Sequence, residues 1–257
     1  MASINKLGLH QARMAYLFIT PTMLLFAVFM VIPVVMALYL SFTNYDVLSS
    51  NDWVGLDKYR RLIDDALLWQ TFINVFYYAI VFVPLNLLIS LLFAMLLNKK
   101  IRGVKLFRTF YYLPTLTSAV AAATVWIWML HPEYGLINGL LAYFGITGPA
   151  WVSQTETAML SIIVMTLWQS VGSNMIIYLA GLQGVPDYLY ESARLDGASR
   201  FACFRYITWP QLRPTTFLVS VMSIIGALQL FDQAFVLTQG GPANVTKTPV
   251  YLIYQQG

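Results

Sequence analysis

Hydrophobic residues run along this chain in long stretches that contain no Asp, Glu, Lys or Arg. The uncharged stretches are residues 14–45, 66–98, 109–132, 157–186 and 214–231. Each can hold the roughly 20 apolar residues that cross a ~30 Å hydrocarbon core as a helix. The pattern therefore predicts five membrane-spanning helices, with cores at about 15–40, 72–97, 110–130, 158–182 and 215–237.

One further uncharged stretch, residues 134–155, has a different character. It is interrupted by Gly135, Gly139, Gly145, Gly148 and Pro149. Glycine and proline at this density favour turns over a regular span. We therefore expect a loop that contains a short interfacial helix.

Charged residues between the spans predict which side of the membrane each loop faces. Residues 99–108 carry five basic residues and no acid, and residues 184–213 carry four arginines. Loops rich in Lys and Arg stay in the cytoplasm. The alternate loops agree, because residues 44–70 have five acids against three bases and residues 131–156 have no Lys or Arg. The amino terminus is therefore predicted to be cytoplasmic.

Composition supports the assignment to a membrane. Of 257 residues, 59% are hydrophobic and 10% are charged, and the mean hydropathy is +0.67. A soluble chain carries about 25% charge. The formal net charge of +4 therefore belongs to the membrane topology, and no nucleic-acid partner is expected. The single cysteine, Cys203, excludes a disulfide within the chain.

Catalytic and metal-binding motifs are missing from the sequence. It has no GxxxxGK[ST] phosphate loop and no GxSxG elbow, and its two histidines, His10 and His131, lie at span ends. We therefore predict no catalytic residue, no metal site and no cofactor in this chain. An ion-coupled secondary carrier would bury ionisable residues at mid-membrane. Only Asp232 comes near such a position, so this class is the less favoured alternative.

Uncharged polar side chains do occur within three of the spans. They are Thr115, Thr117 and Ser118, then Gln169, Ser170, Ser173 and Asn174, and finally Ser223, Gln229 and Gln233. Such groups can bind polyhydroxylated solutes. They can equally hold membrane helices together by hydrogen bonds. Both interpretations stay open from the residues alone.

The basic loop at residues 184–213 carries its own helix signals. Pro186 lies where a helix commonly begins and Gly197 where one commonly ends, which predicts a short helix over residues 187–196. An apolar series from Phe201 to Trp209 predicts a second helix after a sharp turn. Small residues on the first helix would let another protein approach closely.

This loop resembles the cytoplasmic loop of the membrane subunits of binding-protein-dependent ABC importers. Their EAA motif is Glu-Ala-Ala, three residues, Gly, nine residues, Ile, one residue, Leu-Pro. The matching positions here are Glu191, Ser192, Ala193, Gly197, Ile207, Trp209 and Pro210. Every spacing agrees, and the two departures are Ser192 for alanine and Trp209 for leucine.

A second resemblance, at residues 231–246, is to the carbohydrate-uptake importers of the maltose and glycerol-3-phosphate type. It rests on Phe231, Asp232, the segment Leu-Thr-Gln-Gly-Gly-Pro at 237–242 and Thr246. It extends to residues 54–59, 102–103 and 113–114 and so covers nearly the whole chain. The implied fold is an all-α type I importer transmembrane domain over residues 1–257. That domain has six spans, so we expect five here and the last one missing.

The resemblance implies partners and site residues. The expected partners are a second permease subunit, two ATPase subunits that carry ATP and Mg, and an external solute-binding protein, all at a bacterial or archaeal cytoplasmic membrane. The residues implied in ATPase coupling are Glu191, Ser192, Ala193, Asp196 and Gly197. Those implied along the substrate path are Thr115, Ala119, Thr166, Gln169, Ser170, Ser223, Gly226, Ala227 and Leu230. A permease for a non-sugar solute remains the main alternative.

Overall fold

The computed structural model describes residues 2–44, 52–98 and 103–256, and these ranges are mostly helical. Contacts between Cα atoms divide the chain into two units, residues 1–66 and 67–257. The two units are described in turn.

The first unit is dominated by one long helix. It consists of α1 (Ala2–Phe26) and α2 (Ile32–Ser41), joined by a π-helical turn at Ala27–Val31. The portion Gln11–Ser41 is long and apolar enough to cross a membrane. No residue in its most hydrophobic 18-residue stretch is buried. A helix that is apolar on all sides and unburied has a surface suited to lipid.

A small hairpin and a short helix follow in the same unit. Strands β1 (Thr43–Asn44) and β2 (Asp52–Trp53) pair antiparallel, and helix α3 (Asp57–Asp64) comes next. The Phe42 ring stacks on Trp53 with centroids 5.6 Å apart. The Ser41 and Tyr59 hydroxyls are 2.6 Å apart, which links the end of α2 to α3.

The second unit is a helical bundle. Its α-helices are α4 (Ala66–Leu97, which begins at the boundary), α5 (Val104–Tyr112), α6 (Ala119–Met129), α7 (Leu136–Tyr143), α8 (Thr155–Gln183), α9 (Asp187–Leu195), α10 (Arg200–Cys203), α11 (Trp209–Gln211), α12 (Arg213–Leu228) and α13 (Pro249–Gln256). A 3-10 turn lies at Leu113–Leu116 and π-helical turns lie at Phe204–Thr208 and Ala234–Thr238. In the described residues three helices could span a membrane by length and composition, or up to five if each bent pair counts as one.

Two hydrophobic clusters form the core of this unit, and α8 contributes to both. The first cluster includes Tyr78, Trp126 and Ile162 from α4, α6 and α8. The second includes Met175 and Leu212, which join the end of α8 to the start of α12. Helix α8 therefore runs through the middle of the bundle from one cluster to the other.

The prediction of one continuous helix over residues 110–130 is wrong. The segment Val104–Leu116, which is α5 followed by the 3-10 turn, is bent by 99° relative to α6, with the break at residues 117–118. Pro114 has no N–H to donate, so α-helical bonding cannot pass through it unbroken. The Ser118 side chain then accepts a hydrogen bond from the Ala121 N–H at 3.2 Å and caps the new helix.

The prediction of one continuous helix over residues 215–237 is also wrong. Helix α12 ends at Leu228, and helical structure resumes at Asp232 and continues through the π-helical turn Ala234–Thr238. The break is tolerated because a backbone group within it has a hydrogen-bond partner outside the helix. The buried Thr248 hydroxyl donates to the Leu230 carbonyl at 2.6 Å. The segment before α12, residues 200–211, is bent by 65° relative to it.

The short helix predicted within residues 134–155 is confirmed as α7. Its loop is held by the buried Asn138 amide. The Asn138 Nδ2 donates to the carbonyls of Pro132 and Pro149 at 3.0 and 3.1 Å, and its Oδ1 accepts from Trp151 Nε1 at 2.6 Å. One side chain therefore joins both ends of the loop.

The close approach of α5 to α8 depends on Gly172. A Cβ at this position would lie 2.0 Å from the Tyr111 carbonyl oxygen. We predict that Gly172→Ala destabilises the bundle by about 1–3 kcal/mol through overpacking. Thermal melts of the purified protein in detergent would show this as a lowered Tm.

The matched control is Gly226→Ala in α12, where a Cβ would meet nothing within 4 Å. Alanine there should leave the Tm unchanged or raise it, because alanine favours helix over glycine. Equal melting of the two variants would contradict the packing argument.

Candidate solute cavity and coupling helix

An open cavity of about 440 Å3 lies among α4, α8, α12 and the bend between α5 and α6. Most of the residues that line it have uncharged polar side chains. Asp232, near the break after α12, is the one charged side chain among the described residues that line it. The cavity therefore holds hydrogen-bonding groups within a largely apolar bundle.

Seven of the nine residues predicted along the substrate path line this one cavity. They are Thr115, Thr166, Gln169, Ser170, Ser223, Gly226 and Leu230. The other two do not line it. Ala227 is fully buried in the first core cluster, and Ala119 lies at the start of α6, outside the cavity lining.

A buried hydrogen-bonded cluster centred on Asn86 underlies the cavity. Its Nδ2 donates to the Ser170 hydroxyl at 3.0 Å, and its Oδ1 accepts from Ser90 Oγ at 3.0 Å and from Asn174 Nδ2 at 3.2 Å. Asn174 also donates to Ser223 Oγ at 3.4 Å. The cluster thus joins α4, α8 and α12 through side chains alone.

The bend between α5 and α6 is bonded to α8 by side-chain to backbone hydrogen bonds. The Thr115 hydroxyl donates to the Gln169 carbonyl at 2.9 Å, and Gln169 Nε2 donates to the Thr117 carbonyl at 2.9 Å. Non-helical backbone at membrane depth is tolerated where protein groups satisfy it. This reciprocal pair satisfies the bend and places both side chains on the cavity wall.

Sequence reasoning missed the contribution of α4, which supplies Tyr78 and Asn86 to the cavity lining. The signal was present: Asn86 is an amide within an otherwise apolar stretch, two residues after Pro84. A polar side chain in such a helix is expected to face a partner inside the protein.

The segment after α12 surrounds the other end of the cavity. Phe231 lines the cavity, and its ring lies 5.1 Å from that of Tyr254. Beyond it, the Thr238 and Thr246 hydroxyls are 2.7 Å apart, and Thr246 donates to the Gly241 carbonyl at 2.9 Å. Within the segment of the second resemblance, Thr238, Gly241 and Thr246 are therefore joined by hydrogen bonds.

The helix predicted over residues 187–196 is observed as α9, which ends one residue earlier, at Leu195. Pro186 is the N-cap residue of α9, whereas it was expected at the first helical position. Gly197 has a φ of +78°, as expected of a helix-ending glycine. The Ala198 N–H bonds to the Ala193 carbonyl at 2.8 Å and the Gly197 N–H to the Arg194 carbonyl at 3.1 Å, which is the Schellman arrangement.

The predicted coupling residues lie together on this helix and its turn. Glu191, Ser192, Asp196 and Gly197 are exposed, and Ala193 is half-buried. The apolar side chain of Leu195 is 89% exposed. On the other face, the Tyr190 and Thr208 hydroxyls are 2.9 Å apart and connect α9 to the following helix. The helix is therefore held to the bundle on one side and open on the other.

The described residues contain no group of three or more His, Cys, Asp or Glu side chains that could hold a metal ion.

Long apolar helices around a polar cavity, with an exposed helix at one end, define a membrane translocation subunit. The chain belongs to the family of binding-protein-dependent transport system inner membrane components, whose model matches residues 68–256. It is therefore a multi-pass inner-membrane protein and a permease subunit of an ABC importer. The resemblance stated from its motifs is confirmed.

Two related permeases and one solved structure show in more detail what the chain is similar to. A probable ABC transporter permease protein of Pyrococcus horikoshii is 39% identical over 90% of this chain and 80% of its own length. The trehalose/maltose transport system permease protein MalF of Thermococcus litoralis is 32% identical, covering 94% and 82%. A crystal structure of a bacterial alginate ABC transporter, in complex with an alginate pentasaccharide-bound periplasmic protein, matches with a TM-score of 0.85 at 23% identity, covering 97% of this chain and 85% of that one. The last comparison confirms the type I importer fold.

The Asn86 cluster should contribute measurably to stability. Hydrogen bonds between membrane helices contribute about 0.6 kcal/mol on average and up to about 1.7 kcal/mol. Asn86→Leu removes three bonds and leaves Ser90, Ser170 and Asn174 without that partner. We predict that it lowers the Tm in detergent more than Ser90→Ala does, since Ser90→Ala removes only one side chain at the edge of the cluster. A smaller effect of Asn86→Leu than of Ser90→Ala would argue against a cluster centred on Asn86.

Proposed function

We propose that this permease subunit passes a sugar or a related polyhydroxylated solute across the cytoplasmic membrane by alternating access. The observation that carries the proposal is the cavity itself, since uncharged hydrogen-bonding side chains from three helices and a bend meet in the interior of an apolar bundle. Ligand sites are commonly concave with a few convergent polar groups. The transport of trehalose and maltose by a relative that is 32% identical supports this solute class.

We further propose that the seven cavity-lining residues predicted from the sequence form the solute path. Gly226 supports this role, because a Cβ there would meet nothing within 4 Å and its absence leaves space beside the polar groups. Ala119 and Ala227 are not part of this proposal, since they lie outside the cavity lining.

The energy for transport is proposed to come from outside this chain. Two ATPase subunits, which carry ATP and Mg, would dock on the exposed face of α9. Glu191 and Asp196 would offer charge there, and the half-buried Ala193 would permit close packing. Movement of α9 as a rigid body would then tilt the helices attached to it.

The remaining partners and the orientation follow from the same proposal. A second permease subunit would complete the path, and a solute-binding protein would dock on the external side. The amino terminus would be cytoplasmic, because that orientation places the arginines of the α9 loop inside. Residues 1–257 would act as one permease domain.

The proposal is tested by uptake into proteoliposomes that contain this chain with its second permease, its ATPases and its binding protein. We predict that Gly197→Val lowers sugar uptake and solute-stimulated ATP hydrolysis together, by about 5- to 30-fold, because a left-handed conformation costs a β-branched residue about 1–2 kcal/mol. The space around Gly197 is open, so conformation alone should be responsible. Glu191→Lys should reduce the same two activities by reversing a charge on the docking face.

Gly197→Asn is the matched control, since asparagine tolerates a positive φ better than valine and should retain most activity. Membrane levels of all variants should stay normal. Uptake at full rate in both Gly197→Val and Glu191→Lys would refute the role of α9. Sugar uptake by the chain without its partners would refute the role as a subunit.

A further inference from the structure

On one wall of the cavity, each hydroxyl group already donates its proton to a backbone carbonyl. Thr166 donates to the Ile162 carbonyl at 2.8 Å, Ser170 to the Thr166 carbonyl at 2.7 Å, and Ser173 to the Ser170 carbonyl at 2.8 Å. Carbonyl oxygens only accept hydrogen bonds, so the direction of each bond is defined. Thr115 on the neighbouring bend does the same, toward the Gln169 carbonyl at 2.9 Å.

The consequence is that these four hydroxyls offer oxygen lone pairs to a solute, while the N–H of Gln169 Nε2 that is not bonded to Thr117 can still donate. A hydroxyl that has donated its proton retains only acceptor capacity. Donating to a solute would require each of these groups to release a backbone carbonyl within an apolar bundle. Such a release costs free energy, because each carbonyl would lose one of the hydrogen bonds that it accepts.

The opposite wall is mixed. Ser223 accepts from Asn174, and its own proton is in no hydrogen bond with a described residue. Gln229, at the end of α12, is exposed and lines the cavity. These groups can donate to a solute or accept from it. They carry no charge.

The described residues that line the cavity include no cation. The one charged side chain among them is the carboxylate of Asp232. An anionic group that enters the cavity would lose water, would meet only neutral amide and hydroxyl donors among the described lining residues, and would face the like charge of Asp232. An unpaired anion in such surroundings is strongly disfavoured. A neutral hydroxyl can donate to the acceptor wall and accept from the mixed wall, so all its hydrogen-bonding capacity is used.

We propose that the cavity selects neutral polyhydroxylated solutes and rejects acidic ones such as uronate or phosphate sugars. The inference rests on the proposed function and specifies its substrate class. The alginate transporter imports an acidic polysaccharide, but at 23% identity it shares the fold and indicates nothing about charge selection here.

The test measures solute binding to the assembled importer in lipid nanodiscs, without the binding protein, because that protein makes its own selection. The probes are neutral trisaccharides, such as maltotriose, paired with uronic-acid trisaccharides of the same size, measured by equilibrium dialysis. We expect the neutral member of the best-bound pair to bind at least about tenfold more tightly, since an uncompensated charge costs more than a neutral hydrogen bond contributes.

A variant with a gain of function locates the selection in the cavity. Gln229→Arg supplies a cation at an exposed lining position and should shift the ratio of acidic to neutral affinity by about tenfold toward the acidic member. Gln229→Met has similar length without charge and should leave that ratio unchanged.

The outcomes are distinguishable. Equal or tighter binding of acidic saccharides by the unmodified importer would overturn the charge selection and leave a saccharide permease. An unchanged ratio in Gln229→Arg would overturn the assignment of selection to this cavity. Binding of a non-saccharide solute, with none for either saccharide class, would overturn the proposed function and this inference with it.

Discussion

The structure depends on one constraint, which is that polar groups inside an apolar bundle must find partners within the protein. Helix α8 meets this constraint along one face. It donates from its hydroxyls to its own carbonyls and accepts from the bend that contains Thr115. Because the bend is satisfied by α8, the chain can leave helical geometry there and still lie beside the core. The cavity exists because of that departure.

The same helix connects the cavity to the exposed end of the bundle. After Asn174, the buried residues of α8 that follow in the sequence belong to the second hydrophobic cluster, and the chain then continues into α9. The Tyr190 and Thr208 hydroxyls join α9 to the segment that precedes α12. A force applied to α9 would therefore reach two of the helices that line the cavity. This physical continuity is what the proposed coupling between ATP hydrolysis and solute movement requires.

Much of this architecture could be predicted from sequence because it depends on local or compositional signals. Charge-free stretches located the long helices, and Pro186 and Gly197 located α9 within one residue. The helix breaks could not be predicted in the same way. In the break after Leu228, the Leu230 carbonyl accepts from Thr248, which is 18 residues away in the sequence, so no local pattern marks it. Asn86 was missed for a related reason, since two of its three partners, Ser170 and Asn174, lie on another helix, α8.

We propose that the open cavity lined by Ser170 is the path of the solute. It is tested by replacing the native Cys203 with serine and placing a single cysteine at Ser170 or at Val164, which is exposed outside the cavity on the same helix. A water-soluble thiol reagent is then applied to the assembled importer, with and without the transported saccharide. The account predicts that the Ser170→Cys variant reacts readily and that the saccharide slows its reaction, while Val164→Cys reacts slowly and regardless of solute. Equal labelling of the two positions, or no effect of saccharide on Ser170→Cys, would contradict it.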